Sequence, residues 1–181
     1  MRLRALEPED IEFLYDMEND TSLWWVGAQT APVSMYHLRD YIANNENDIF
    51  KDEQVRFVIE ISSEEYQGIA GNKTAERHVA IGLIDLFAFS PLHNRAELGI
   101  ALHKDFHGFG LAQQAISMVA DIARNIIHLN QIYAIVPASH AASIQMLEKS
   151  HFVCGGTLSK WLFDGKNYHD AKIMQLFLQK Y

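Results

Sequence analysis

Apolar residues along this chain recur at two different spacings, and the switch between them outlines the fold. Val55, Phe57, Ile59 and Ile61 occupy every second position, the spacing of a strand that turns one face to a core. Segments 78–89 and 95–103 continue in that manner on either side of the turn Ser90-Pro91-Leu92-His93-Asn94, which predicts neighbouring antiparallel strands. The period then changes. Leu111, Ala115, Met118, Val119, Ile122 and Ile126 mark one long amphipathic helix. A strand over 131–136 is stopped by Pro137, a shorter helix covers 141–149, and strands 152–163 and 168–179 close a hairpin around Asp164-Gly165.

The earlier part of the chain reads less regularly. A strand-like run over 1–6 leads into Glu7-Pro8-Glu9-Asp10. Proline suits a helix's first turn, where its missing N–H has no partner to lose, and the carboxylates suit the positive end of the dipole. Ile11, Leu14 and Tyr15 extend that helix to about Asn19, and Ser34 caps a second one carrying Leu38, Tyr41 and Ile42 on one face. Trp24-Trp25-Val26-Gly27 between them reads as an apolar loop. The polar segment 62–77, with Gly68, Gly71 and Asn72, reads as a long hairpin loop. The predicted order is β-α-α-β-β-β-α-β-α-β-β. It describes one α/β domain over 1–181, a mixed and mostly antiparallel sheet flanked by about four helices.

Composition narrows the possible roles. At 49% hydrophobic and 21% charged residues the chain is an ordinary globular sequence rather than a disordered one. The formal net charge of -8 argues against nucleic-acid binding through a broad basic surface. No apolar stretch approaches the roughly 20 residues that cross a bilayer, and the opening run turns acidic before a signal peptide could form. The single cysteine, Cys154, has no internal partner, which suits a reducing cytoplasm, and it is expected as a buried structural thiol. These features predict a soluble, cytoplasmic protein acting on a small molecule or a protein terminus.

Candidate chemistry concentrates in His107-Gly108-Phe109-Gly110-Leu111-Ala112-Gln113, where a strand ends, glycines follow and a long helix starts at once. Glycines let a backbone approach a ligand closely, and the free N–H groups of a helix start attract an anion such as a diphosphate. A tight packing turn is the alternative reading. A Walker A loop is excluded because no Lys-Ser or Lys-Thr follows Gly110. A Rossmann fingerprint belongs to an early βαβ unit, whereas this loop follows antiparallel strands. Nine histidines raise the question of a metal, but His103 and His107 straddle a strand end and no H-E-x-x-H occurs, so no metal is expected. Glu97 stands on an apolar-rich strand, where a carboxylate needs a partner or a task. Pairing with Arg95 and service as a base both remain open.

In this setting the loop resembles the acyl-coenzyme A loop of the GNAT superfamily of N-acetyltransferases, with pattern [QR]-x-x-G-x-[GA], matched at Gly110 and Ala112. Further similarity extends over nearly the whole chain. Leu3-Arg4-Ala5-Leu6-Glu7-Pro8-Glu9-Asp10 resembles the opening of the branch that contains ribosomal-protein N-terminal acetyltransferases and spermidine N-acetyltransferase. Asn94-Arg95-Ala96-Glu97, the segment Ser143-Ile144-Gln145-Met146-Leu147-Glu148-Lys149-Ser150-His151-Phe152, and the hairpin at Asp164-Gly165-Lys166 also resemble that branch.

The resemblance implies a GNAT-type fold and transfer of acetyl from acetyl-CoA to a primary amine: a protein N-terminus, a polyamine or another small amine. It implies that Ile100, Ala101 and Leu102 offer strand backbone to the pantetheine arm. His107, Gly108, Phe109, Gly110, Leu111, Ala112 and Gln113 would hold the diphosphate, with His140 and Ser143 flanking the coenzyme's far side and Glu97 as base. A homo-oligomer is compatible with this reading. Four positions depart from the family pattern: His107 replaces Gln or Arg, His140 an Asn, Leu147 the tyrosine that protonates the thiolate, and His151 a Gly. Tyr133, Ser139 and His140 are near in sequence as substitute acids. After Trp25, Val26-Gly27-Ala28-Gln29 stands where spermidine acetyltransferases carry an acidic pair. A coenzyme-binding regulatory module with little or no catalysis is the alternative to an enzyme.

Overall fold

The computed structural model describes residues 1–21, 30–70 and 78–179. Its described strands are β1 (Arg2–Arg4), β2 (Val55–Ser62), β3 (His78–Ser90), β4 (Arg95–Leu102), β5 (Gln131–Pro137), β6 (Val153–Phe163) and β7 (Tyr168–Phe177). All join one sheet in the order β1-β2-β3-β4-β5-β7-β6. Every neighbouring pair is antiparallel except β4 and β5, which run parallel. The helices are α1 (Ile11–Glu18), α2 (Met35–Asn44), α3 (Ile49–Asp52), α4 (Ser63–Ala70), α5 (Leu111–Asn125) and α6 (Ala141–Lys149). Parallel neighbours need a crossover, and α5 supplies it between β4 and β5.

The mixed, mostly antiparallel sheet is the one expected from the hydrophobic pattern, but two helices were not. Helix α3 begins at Asp48, whose side chain accepts from the Phe50 N–H at 2.9 Å. Helix α4 occupies the first half of the segment read as a loop. Ser62 Oγ accepts from the Glu65 N–H at 3.3 Å while the Glu65 carboxylate accepts from the Ser62 N–H at 2.9 Å. This reciprocal cap satisfies two N–H groups at the helix start. Tyr66 and Ile69, three apart, then rest on the core.

Helix α5 buries Leu111, Ala115, Ile116, Val119, Ala120 and Ala123 against Ile61, Leu86, Ala96, Leu98, Ile132 and Met174 on one face of the sheet. Each large aliphatic side chain buried here contributes about 1.5–3 kcal/mol. Ile126, predicted on that stripe, caps the helix and is 71% exposed. Helices α1 and α2 cover the opposite face, where Leu14, Met17 and Leu38 meet Val58 and Leu83.

Charged residues lock the sheet's first edge. The buried Glu60 carboxylate accepts from Arg2 and from Arg4 Nε, and Arg4 forks onto both oxygens of buried Asp10 at 2.6 and 2.8 Å. Burial alone would raise both carboxyls. Hydrogen bonds from Arg4 to Asp10, and from Arg2 and Arg4 to Glu60, outweigh it and hold both below their ordinary values.

At the other edge, β6 bonds only to β7 and is exposed along most of its length. Cys154 lies on this strand and is exposed, contrary to the buried thiol expected. Among the described residues, no helix is long and apolar enough to cross a membrane.

Candidate active site

The parallel pair β4–β5 is a fork. Arg95, Ala96 and Glu97 register with Gln131, Ile132 and Tyr133, and beyond Glu97 and Tyr133 the ladder ends while both strands run on. The outer edge of β4 stays bonded to β3 through Leu102, and that of β5 to β7 through Pro137. The inner edges therefore present backbone N–H and C=O groups without a ladder partner, a requirement that a ligand's amides can meet. Of the three residues predicted to offer backbone here, Ile100 and Leu102 turn theirs to the open edge, whereas Ala101 alternates toward β3, where its carbonyl faces Gly82. Gly82 of β3, opposite Leu102, lets the strands close up there, since a Cβ at this position would collide with the Ala101 carbonyl oxygen.

The loop at the mouth of the fork takes the shape its glycines permit. Gly108 and Gly110 have φ of +86° and +75°, left-handed values that disfavour residues with a Cβ. Gly110 caps α5, whose first backbone bond runs from the Gln114 N–H to the Gly110 carbonyl at 3.2 Å. The N–H groups of Leu111, Ala112 and Gln113 precede that bond and have no acceptor within the helix. At the start of a 15-residue helix, their direction and the helix dipole both favour an anion. The Leu111 side chain is buried in the core, so this residue offers only backbone, and Phe109 is exposed between the glycines. His107 folds back on its own strand, its Nε2 lying 3.0 Å from the Leu102 carbonyl oxygen.

On the far side, His140 and Ser143 meet at the start of α6, with Nδ1 and Oγ 2.7 Å apart. Leu147, in the position of the expected tyrosine acid, is 2% exposed and belongs to the core. Its backbone takes part in the helix end: the Phe152 N–H donates to the Leu147 carbonyl and the His151 N–H to the Glu148 carbonyl, both at 3.0 Å. Residue 151 of this cap needs a left-handed backbone, and His151 has φ of +68°. The glycine usual in related proteins fits that requirement, and the histidine is strained by it.

At the base of the fork, burial pushes the half-buried Glu97 carboxyl above its ordinary value, and the nearby Tyr133 hydroxyl and Ile135 backbone only partly offset this. The same burial raises the Tyr133 phenol, and the neighbouring Glu97 raises it further. The polar side chain set opposite Glu97 is thus Tyr133 across the fork, and no ion pair joins Glu97 to Arg95 among the described residues.

The face of the sheet that bears Glu97 carries a second polar group. Cross-strand register places Phe87 opposite Glu97, Asp85 opposite Gly99 and Arg56 opposite Asp85. Arg56 forks onto Asp85 with two bonds of 2.8 Å, reaches Glu18 of α1 at 2.6 Å, and lies 5.6 Å from the centre of the Tyr41 ring. Burial raises the Asp85 carboxyl despite the guanidinium beside it. A cleft of about 330 Å³ opens beside this cluster, lined by Glu18, Val33, His37, Leu38, Tyr41, Gln54 and Arg56. The sequence signal for the cluster was an arginine and an aspartate inside two apolar strands, at 56 and 85. Trp24, Trp25 and the four residues after them lie outside the described residues. Among those described, no group of three or more His, Cys, Asp or Glu side chains is placed to hold a metal ion.

Comparison with known proteins agrees with this geometry. Residues 1–153 match the family described as Acetyltransferase (GNAT) domain. The spermidine N(1)-acetyltransferase of Escherichia coli (strain K12) is 26% identical over 184 residues, covering 100% of this chain and 88% of the relative. The crystal structure of spermidine N-acetyltransferase from Vibrio cholerae in complex with CoA and spermine superposes with a TM-score of 0.79 at 25% identity, covering 98% of this chain and 95% of that one. A dodecameric structure of the Vibrio cholerae protein in an intermediate state gives a TM-score of 0.74 at 27% identity, covering 99% and 95%.

Proposed function

The chain belongs to the GNAT acetyltransferase family, and on that premise we propose that it transfers acetyl from acetyl-CoA directly to a primary amine of a polyamine. The observation that carries this reading is the fork, whose open β4 edge leads from the anion-binding start of α5 to Glu97. Bound there, acetyl-CoA supplies an acyl group activated as a thioester.

Each part of the chain then has a task. The N–H groups of Leu111, Ala112 and Gln113, with the loop 107–110, hold the diphosphate. Ile100 and Leu102 bond the amides of the pantetheine arm, Ala101 between them holds the strand to β3, and His140 and Ser143 flank the arm's far side. Glu97 removes a proton from the ammonium group, since only the free amine can attack. A carboxyl raised by burial is a better base near neutral pH than an ordinary one. The acceptor approaches from the α1 and α2 side, where Glu18, Asp85 and Glu97 share the sheet face with Arg56. That balance, with the chain's net charge of -8, favours a polycation. The similarity to spermidine acetyltransferases supports the same acceptor class.

The long edge strand β6, with Val153, Trp161 and Phe163 each more than half exposed, further supports self-association. Purified protein would be given acetyl-CoA with spermidine, spermine or a peptide bearing a free N-terminus, and free thiol followed. Thiol release with the polyamines is expected. Coenzyme binding without release for any amine would replace the enzyme by a coenzyme-binding regulatory module.

A further inference from the structure

We propose that Tyr133 is the acid of this site: it gives its phenolic proton to the departing thiolate and recovers one from Glu97. The inference rests on the reading of Glu97 as base. It begins from a gap, because the α6 position that would hold an acid is filled by Leu147, which lies in the core and has no proton to give. Among the substitutes considered from sequence, His140 is bonded to Ser143 at the exposed start of α6. Tyr133 stands instead at the base of the fork, directly opposite Glu97 in the parallel register, with its hydroxyl near enough to act on that carboxyl.

The direction of the slot brings the reacting group to that point. From Leu102, beside the phosphate loop, to Glu97 is five residue steps, roughly 17 Å of strand. An arm bound along this edge ends beside Glu97 and Tyr133. Of the surrounding polar groups, Arg95 lies two residues away on the same face of β4 and favours the phenolate, while Gln131 and Gln175 bond each other at 3.0 Å.

The protons balance. Glu97 takes one from the ammonium, and the amine nitrogen bonds to the thioester carbon. As the C–S bond breaks, the sulfur takes its electron pair and the Tyr133 proton. The phenolate regains a proton from the Glu97 carboxyl, and the second proton lost by the nitrogen leaves to solvent. The proton removed to make the nucleophile is thus the one delivered to the leaving group.

The test compares Tyr133→Phe, Glu97→Gln and the double variant, measuring kcat with acetyl-CoA and spermidine and coenzyme affinity by calorimetry. Tyr133→Phe should lower kcat by about 100-fold or more, the usual worth of a positioned acid, with coenzyme affinity unchanged. Because both residues lie on one proton path, the double variant should be no slower than the slower single one. A Tyr133→Phe rate within threefold of the parent, or losses that multiply in the double variant, overturns the proposal. Should Tyr133→Phe fail to bind coenzyme, 3-fluorotyrosine at 133 keeps shape and hydroxyl: the basic limb of the kcat profile should move to lower pH, and an unmoved limb refutes the role. A fully active Glu97→Gln would overturn the base reading itself, whereas an inactive Glu97→Gln beside an active Tyr133→Phe removes only this inference.

Discussion

Replacing Gly110 by alanine separates the part this residue plays in the fold from the part it plays toward the ligand. Its φ of +75° is left-handed, so a Cβ costs about 1–2 kcal/mol. A less flexible unfolded chain returns up to about 1 kcal/mol. No collision adds to this, since the nearest atom to a Cβ would be Gln113 Oε1 at an ordinary 3.9 Å. The net loss of about 1 kcal/mol should lower Tm by roughly 2–4 °C in a chain of this size. On the ligand side, the methyl group stands at the mouth of the anion site. Losing one hydrogen bond to a charged phosphate costs about 1.5–3 kcal/mol, or about 10- to 150-fold in Kd. Gly165 is the matched control. It has φ of +94° and nothing within 4 Å of the place a Cβ would take, but lies in the β6–β7 turn. Gly165→Ala should show the same fall in Tm by scanning calorimetry and an unchanged Kd for acetyl-CoA and desulfo-coenzyme A. Equal affinities in the two variants would refute the phosphate role of the loop.

Four further outcomes follow from the same structure. Glu97→Gln should lower kcat by about 10²- to 10⁴-fold with coenzyme affinity unchanged. Because burial raises the Glu97 carboxyl, the acid limb of the parent's kcat/KM profile should lie above the ordinary glutamate range, with activity lost as pH falls through it. His151→Gly removes backbone strain at the end of α6 and should stabilise the protein by about 1 kcal/mol in urea unfolding. Arg4→Met takes from buried Asp10 its guanidinium partner and from Glu60 one of two, at a cost of about 3–5 kcal/mol at neutral pH. The parent, whose two carboxyls are held low when folded, keeps that stability above the ordinary carboxylate range and loses it as pH falls below. Urea midpoints across pH should show the variant both weaker and less acid-sensitive.

The strands and α5 were legible because their apolar periods are strong and turn residues bound them, even where β2 and β3 are buried on both faces. The turn into α5 was legible because Gly108 and Gly110 stand just before a long apolar stripe, and both take the left-handed φ that glycine favours. Helix α4 was not, although its signal was present: Ser62 and Glu65 form a capping pair, but Gly68 and Gly71 close behind them favour a loop by composition. The partner of Glu97 was beyond reach for a different reason. Arg95 is its neighbour in sequence, whereas Tyr133 meets it only through a parallel register that no local pattern encodes. Cys154 was misplaced by residue type alone, since a thiol on an edge strand has only one neighbouring strand to cover it. The histidine at 151 was readable as a departure, but the φ that makes it costly was not.

The one-sided bonding of β4 beyond Glu97 would couple the protein's stability to the coenzyme that fills the open edge. Where a strand is held along one edge only, the molecule that occupies the other edge counts as part of the fold. Acetyl-CoA at about 100 times its dissociation constant would add about 2.7 kcal/mol to stability, a large share of the 5–15 kcal/mol that holds an average domain together. Proteases act on the opened chain in proportion to its population. Protein loaded with acetyl-CoA should therefore resist limited proteolysis in proportion to that added stability, and the free protein should be cut first.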